Sequence, residues 1–319
     1  MGELRKIGAV STFVTEIAKI KPRKGYSLFF RGQAKESYTP IPSVFRNTDP
    51  KDESSALFSE REHIMFEQLV AACPNDFLSC YSAFDHLVKM QHYGLPTRLL
   101  DITSNPLVAL YFASNAHFGR GKDSSDGEII IYEIKDENIK FHGSDTVSVI
   151  SNLAKMDEQF VYPNVSKDER TEEQSKMVGK LLHSIYAEKP YFKDAIVSEH
   201  ISSIQAVKPK LDNPRVIRQS GAFLIFGMHH KKHLPSNEVN KVYKNVDVSV
   251  VQNVGKDGKI TTFFHETEDR GYVLKINSEK KAEIIQSLEG LGVSKATLFP
   301  EIDEVAQHIK SQTVNYLKD

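Results

Sequence analysis

Apolar residues recur along this chain in two rhythms, and the change from one to the other marks its elements. Phe13, Ile17 and Ile20 fall on one face of a helix that starts near Ser11 or Thr12. "GYSLFFRG" (25–32) is aromatic-rich and bounded by glycines, which predicts a buried strand ending at Arg31. "TPIPSVFR" is a loop held extended by its prolines. From "DESSALFSEREHIMFEQLVAAC", the helical spacing of Leu57, Phe58, Ile64, Met65, Leu69 and Ala72 predicts a long amphipathic helix. A second helix, about Tyr81 to Gln91, buries Phe84, Leu87 and Val88. "RLLDI" reads as a strand, after which Asn105 caps a helix with Pro106 in its first turn. Leu107, Leu110, Tyr111 and Ala113 point inward on that helix.

Further on, "GEIIIYEIK", "SGAFLIFG" and "GYVLKIN" are strands, and 141–193 is helical and charged. "MHHKKHLPSNEVNKVYKN" is a polar surface excursion. "SEKKAEIIQSLEGLG" is a helix ending at Gly290 or Gly292, and "LFPEIDEVAQHIKSQTVNYL" is a final helix begun by its proline. Strands and helices mix without a regular βαβ rhythm. The expected fold is therefore α+β, a mixed or antiparallel sheet with surrounding helices, rather than a doubly wound sheet.

One stretch combines this patterning with candidate chemistry: "QHYGLPTRLLDITSNPLVALYFA", Gln91 to Ala113. Gly94 permits a positive φ and Pro96 holds Leu95 extended, so "GLP" is a turn. In the strand that follows, Leu99, Asp101 and Thr103 share one face and Arg98, Leu100 and Ile102 the other. Asp101 and Thr103 lie where the strand gives way to the helix, a place suited to a ligand edge. They are equally suited to local work, with Asp101 accepting from turn amides and Thr103 or Ser104 capping. His92 is either a hydrogen-bonded histidine at a helix end or a general base. Arg31 needs partners for its charge beside a buried strand. Those are either an internal carboxylate, with Asp101 the candidate, or a ligand phosphate that Gly32 lets the backbone approach.

Charge and composition narrow the class. Of 319 residues, 40% are apolar and 26% charged, values of a soluble globular chain. Net charge is −1 from 41 basic and 42 acidic residues, without the basic excess of a general nucleic-acid binder. This argues against a metal-independent nuclease. Cys73 and Cys80 match no zinc spacing, and no metal is expected. "HHKKH" (229–233) sits before a proline and reads as a solvated basic turn, and "GKDGK" (255–259) as a hairpin turn. The first residues lack the apolar core of a signal peptide, and no run approaches the roughly 20 apolar residues of a membrane span. The expected location is the cytoplasm, without membrane association.

Four motifs in order carry a resemblance: "FFRGQ" with "PIPSVFR", the 91–113 stretch, "RVIRQSGAFLIF", and "LGVSKATLFPEIDEVAQHIK". Together they resemble the FRG domain family, whose Phe-Arg-Gly stands here as Phe30-Arg31-Gly32, over about residues 10–312. The resemblance implies a single domain over 1–319. Insertions are expected at about 140–200 (helical) and 229–266 (polar). Ile102 departs from the aromatic residue usual in the family.

A second, fold-level similarity is to ADP-ribosyltransferases: an arginine on an early strand, a hydroxyl-bearing strand before a helix of small residues, and a late polar residue before an apolar strand. In those enzymes the arginine engages NAD, the hydroxyl strand orders the nicotinamide end, and a late glutamate holds the ribose and stabilises an oxocarbenium-like transition state. The similarity implies catalytic roles for Arg31, Asp101, Thr103 and Gln219, and cofactor contacts from Arg31, Gly32, Gln33, His92 and Arg98.

Gln219 stands where the glutamate belongs and carries no charge to stabilise a cation. "HETED" supplies Glu266 and Glu268 in an alternating pair, and its plain reading is an acidic surface loop. The implied function is an NAD-using toxin or defence effector acting on nucleic acid or protein, with an antitoxin or regulatory protein as a partner. The alternative is a non-catalytic nucleotide-sensing or partner-binding domain on the same cleft.

Overall fold

The computed structural model describes residues 5–52, 55–115, 125–228, 248–250, 264–267 and 271–301. The basic turn at 229–233, the "GKDGK" turn, Glu268 and the final helix beyond residue 301 lie outside them. In chain order the elements begin with α1 (Val10–Lys19), β1 (Tyr26–Gln33), α2 (Glu62–Ala72), α3 (Ala83–His92), β2 (Leu99–Thr103) and α4 (Pro106–Ser114). Next come β3 (Gly127–Lys135), β4 (Ile139–Phe141), α5 (Asp145–Asn152), α6 (Glu172–Tyr186), α7 (Ser198–Ser202), β5 (Ile204–Lys208), α8 (Pro214–Arg218) and β6 (Gly221–Phe226). Last are β7 (Val248–Val250), β8 (Phe264–Thr267), β9 (Gly271–Ile276), α9 (Lys281–Gly290) and α10 (Lys295–Leu298).

The strands form one sheet in the order β4-β5-β6-β2-β1-β3-β9-β8, with β7 also on β3. Every pairing is antiparallel except β4 with β5. Alternation along each strand sorts the core onto two faces. On one face, Leu99, Phe223 and Ile225 pack under α3, α5 and α6. On the same face, Phe30, Ile129, Ile131 and Leu274 pack under α4 and α9. The opposite face carries a single cluster in which Phe29, Leu100, Ile102, Ile130 and Leu224 meet Ile41, Val44 and Phe45 of the "PIPSVFR" loop. Fold class and sheet type agree with the sequence.

Three details differ. The helix expected from residue 52 begins only as a 3-10 turn at Phe58 before α2 takes over. β5 is short and follows a charged helical stretch, which hides its alternation of Ile204 and Ala206. β4, three residues long, gave no periodic signal.

α4 shows how local chemistry sets tertiary packing. The Asn105 side chain caps it by accepting from the Leu107 amide at 3.0 Å, and Pro106 opens the first turn. The helix then lies hard against β1 and β3. A Cβ on Gly32 would stand 1.8 Å from the Ala109 carbonyl oxygen, and one on Gly127 2.1 Å from that of Ala113. Two glycines below and two alanines above thus let helix and sheet touch backbone to backbone. Gly32 was expected to admit a ligand, but the close neighbour it admits is α4.

Candidate functional site

β1 pairs with β3 over eight positions and β2 with β6 over five, but β1 and β2 share one, Phe30 opposite Thr103. Beyond that pair a cleft of about 340 Å³ opens, walled by β1, β2, α3, α4, α8 and the loop after β1. The volume is in the range of small-molecule sites. Of the residues expected to form a site, Arg31, Gly32, Gln33, His92, Asp101, Thr103 and Gln219 all line it.

Their hydrogen bonds differ in what they leave over. Arg31 bridges the gap, its guanidinium donating to the Asp101 carbonyl at 2.7 Å while Nε stays without a partner among the described residues. The contact is thus to the backbone of Asp101, and the carboxylate is turned elsewhere, accepting from Gln91 Nε2 at 2.8 Å. Asp101 is exposed and is the one acidic residue of the cleft wall among the described residues. Gln33 is only 5% exposed; its nitrogen donates to the Tyr38 carbonyl at 2.7 Å and to Glu128 Oε1 at 3.1 Å. Both neighbours are acceptors, so the nitrogen must face them, and Oε1 is left buried without a partner.

Thr103 is fully engaged. Its hydroxyl donates to the Gln219 carbonyl at 2.6 Å and accepts from the Asn105 amide at 3.0 Å, tying the end of β2 to the turn after α8. That turn is strained: Ser220 has φ 47°, in the left-handed region that a non-glycine residue seldom occupies. The Gln219 side chain donates to the Leu298 carbonyl at 3.1 Å, so its oxygen is the group left to accept from a ligand.

His92 stands on the wall between this cleft and a second cavity of about 440 Å³. Its Nε2 lies 3.0 Å from Glu301 Oε1. Burial, and then the positive charge of Arg215, hold it below the ordinary imidazole value, with Glu301 opposing in part. At neutral pH the ring is uncharged.

Arg98 corrects the expectation of a cofactor contact. It is absent from the cleft wall and fully buried, with both Nε and a terminal nitrogen on the Glu62 carboxylate and the other on the Phe226 carbonyl at 3.0 Å. It clamps α2 to the β2–β6 pair. Glu266 lies on β8 at the edge of the sheet, with β9 and β3 between it and β1. At about 4.8 Å per strand, its backbone stands well apart from the cleft. Sequence reasoning overlooked Arg46, Gln91 and Arg215, which also line the cleft. The available signals were Arg46 closing "PIPSVFR" and Arg215 opening "RVIRQ", each inside a motif already singled out.

A family model for the FRG domain matches residues 26–120. The chain carries an FRG domain. The matched part of this FRG-domain protein runs from β1 through α4 and supplies Arg31, Gln33, Arg46, Gln91, His92 and Asp101 to the cleft. Arg215 and Gln219 come from beyond the match. No curated protein and no solved structure matches the chain. Among the described residues no helix is long and apolar enough to cross a membrane, and no group of three or more metal-ligating side chains is assembled.

Proposed function

We propose that the cleft binds a pyridine dinucleotide of the NAD class and transfers its ADP-ribose to an acceptor. The observation that carries this reading is the convergence of Arg31, Asp101 and Gln219 on the notch between β1 and β2. Arg31, on the cleft wall, is the diphosphate contact, and Arg46 and Arg215 add positive charge on the same walls. Gln219 accepts from a ribose hydroxyl. The Asp101 carboxylate takes the task that a neutral glutamine cannot, stabilising positive charge on the ribose as the glycosidic bond breaks. Thr103 shapes the wall through its two backbone bonds and does no chemistry. The acceptor is a nucleic acid or a protein, and the biological role is that of a toxin or defence effector held in check by an antitoxin or regulatory protein.

The test is incubation with NAD labelled in the nicotinamide ring. Release of nicotinamide by the wild type, lost in Arg31→Ala with the fold intact by circular dichroism, supports the reading. Wild-type protein that leaves NAD intact while binding it supports the second reading, a nucleotide sensor, which the missing charge at Gln219 favours.

A further inference from the structure

The two cavities share one wall, formed by Val88, His92, Asn213 and Arg215. His92 is the one histidine there, and it is coupled to a carboxylate. Glu301 Oε1 faces Nε2 at 3.0 Å, and its other oxygen, Oε2, is buried with no partner among the described residues. In the neutral ring the proton lies on Nε2, donated to Glu301, and the Nδ1 lone pair is left as the acceptor. A carboxylate that fixes the tautomer and orientation of an imidazole is how a weak base is prepared to take a proton from a hydroxyl.

We propose that the His92–Glu301 couple is the general base of the site and that the second cavity is the side from which the acceptor reaches it. The inference rests on the function proposed above. The acceptor's O–H or N–H proton passes to His92 Nδ1, and its heteroatom bonds to the ribose C1′. The C1′–nitrogen bond breaks with both electrons going to nicotinamide, which leaves neutral. The imidazolium, paired with Glu301, then returns the proton to solvent. Glu301 is a positioning residue and His92 a catalytic one. Besides Glu301, the charged and titratable groups around this wall are Lys89 and Tyr93 at the end of α3 and Arg215 on α8; Cys80, Asp85, Lys210 and Asp212 line the second cavity beyond. Burial first, then Arg215 and Lys89, keep the ring neutral against the pull of Glu301, the state a base requires.

Water is the acceptor probe, with nicotinamide release from NAD as the readout. The wild-type rate should be flat above pH 6.5 and fall below it, because protonation of His92 removes the base. His92→Ala should lose about 100-fold or more at pH 7, and added imidazole should restore part of that loss in proportion to its unprotonated fraction. Glu301→Gln keeps a hydrogen-bond partner but not the charge, and should slow release and move the pH limb. If His92→Ala does not fold, His92→Gln and Glu301→Gln carry the test through their pH profiles.

A wild-type rate in either variant overturns the inference, and so does a loss that imidazole leaves unchanged with an unaltered pH limb. If nicotinamide release is lost in Arg31→Ala but indifferent to His92, the base assignment alone falls. If the wild type releases no nicotinamide at all, the proposed function falls and takes the base with it.

Discussion

Gln91 donates from Nε2 to the Asp101 carboxylate at 2.8 Å, joining the end of α3 to the middle of β2 across ten residues. Its own oxygen accepts the Thr97 hydroxyl, so the amide cannot rotate away. The carboxylate on the cleft wall is held in place by the same segment that carries it.

Asp101→Asn should therefore leave the fold intact, since an amide oxygen still accepts from Gln91, but remove the charge proposed to face the ribose. Nicotinamide release is expected to fall by about 100-fold or more, with the affinity for NAD changed far less. Calorimetric titration beside the release assay separates the two. An equal loss in both would assign Asp101 to binding alone.

Arg31→Lys should be a poor replacement. Lysine keeps the charge but not the planar fork that holds the Asp101 carbonyl and, in the proposed function, would grip a diphosphate as well. Affinity for ADP-ribose should drop by roughly tenfold or more, about 1.4 kcal/mol. Lysine binding as well as arginine would show that the charge alone, and not the planar fork, is what matters.

Gly32→Ala and Gly179→Ala should have opposite effects. At Gly32 the new methyl meets the Ala109 carbonyl and α4 must lift off the sheet, costing about 3 kcal/mol or more, at the upper end for overpacking. At Gly179, within α6, nothing lies within 4 Å, and alanine should stabilise by about 0.5–1 kcal/mol. Denaturant midpoints of the two variants decide it.

Arg98→Ala should act on stability and leave ligand affinity alone. It removes the guanidinium from its pair with the Glu62 carboxylate, which is only 3% exposed, at a cost of about 3–5 kcal/mol. The double variant Arg98→Met with Glu62→Leu should recover most of that. Additive losses in the double variant would show that the pair itself is not the source.

Stability should also fall in two steps as pH drops. His86 stacks on Phe66 and Phe77 with centroids 5.5 and 5.3 Å away, and burial pushes it below its ordinary value of 6.5. The unfolded chain then binds this proton more tightly, so stability is full above pH 6.5 and declines below it. Asp85 and Asp126 follow. Burial alone would raise both, but Lys210 with the Tyr81 amide, and Lys6 with the Ser278 amide, outweigh it and hold both below 3.8. Their contribution is present above pH 3.8 and is lost as pH falls through the lower folded values. Urea midpoints between pH 7 and 3 should show both steps, and His86→Phe should shrink the first to the part that half-buried His92 contributes.

Much of this was legible in the sequence because single residue types force single solutions. Asn105-Pro106 can hardly do other than start a helix, and the run "GEIIIYEIK" can hardly avoid the middle of a sheet. Arg31, Asp101 and Gln219, far apart along the chain, meet in one cleft as expected. What was not legible depends on partners remote in sequence. Nothing near Arg98 reveals that Glu62 lies across from it, and nothing beside Gly32 distinguishes a helix backbone from a ligand as its close neighbour. Glu301 opens a helical pattern after a proline and gives no sign that His92 waits for it. Thr103 lines the cleft, but its hydroxyl is spent on the Gln219 carbonyl in the turn that ends at Ser220, a partner more than a hundred residues away in sequence.

The notch between β1 and β2 divides the core on one face only. On the other, Phe29 and Ile130 from one side of the gap and Leu100, Ile102 and Leu224 from the other belong to the same apolar cluster. Widening the notch at the strands would tear that cluster, so the spacing of its walls is settled when the chain folds. A ligand entering between these strands finds the distance from Arg31 to Asp101 already set and gives up little of its binding energy to arrange them. In this FRG-domain protein, preorganisation is a property of the hidden side of the sheet.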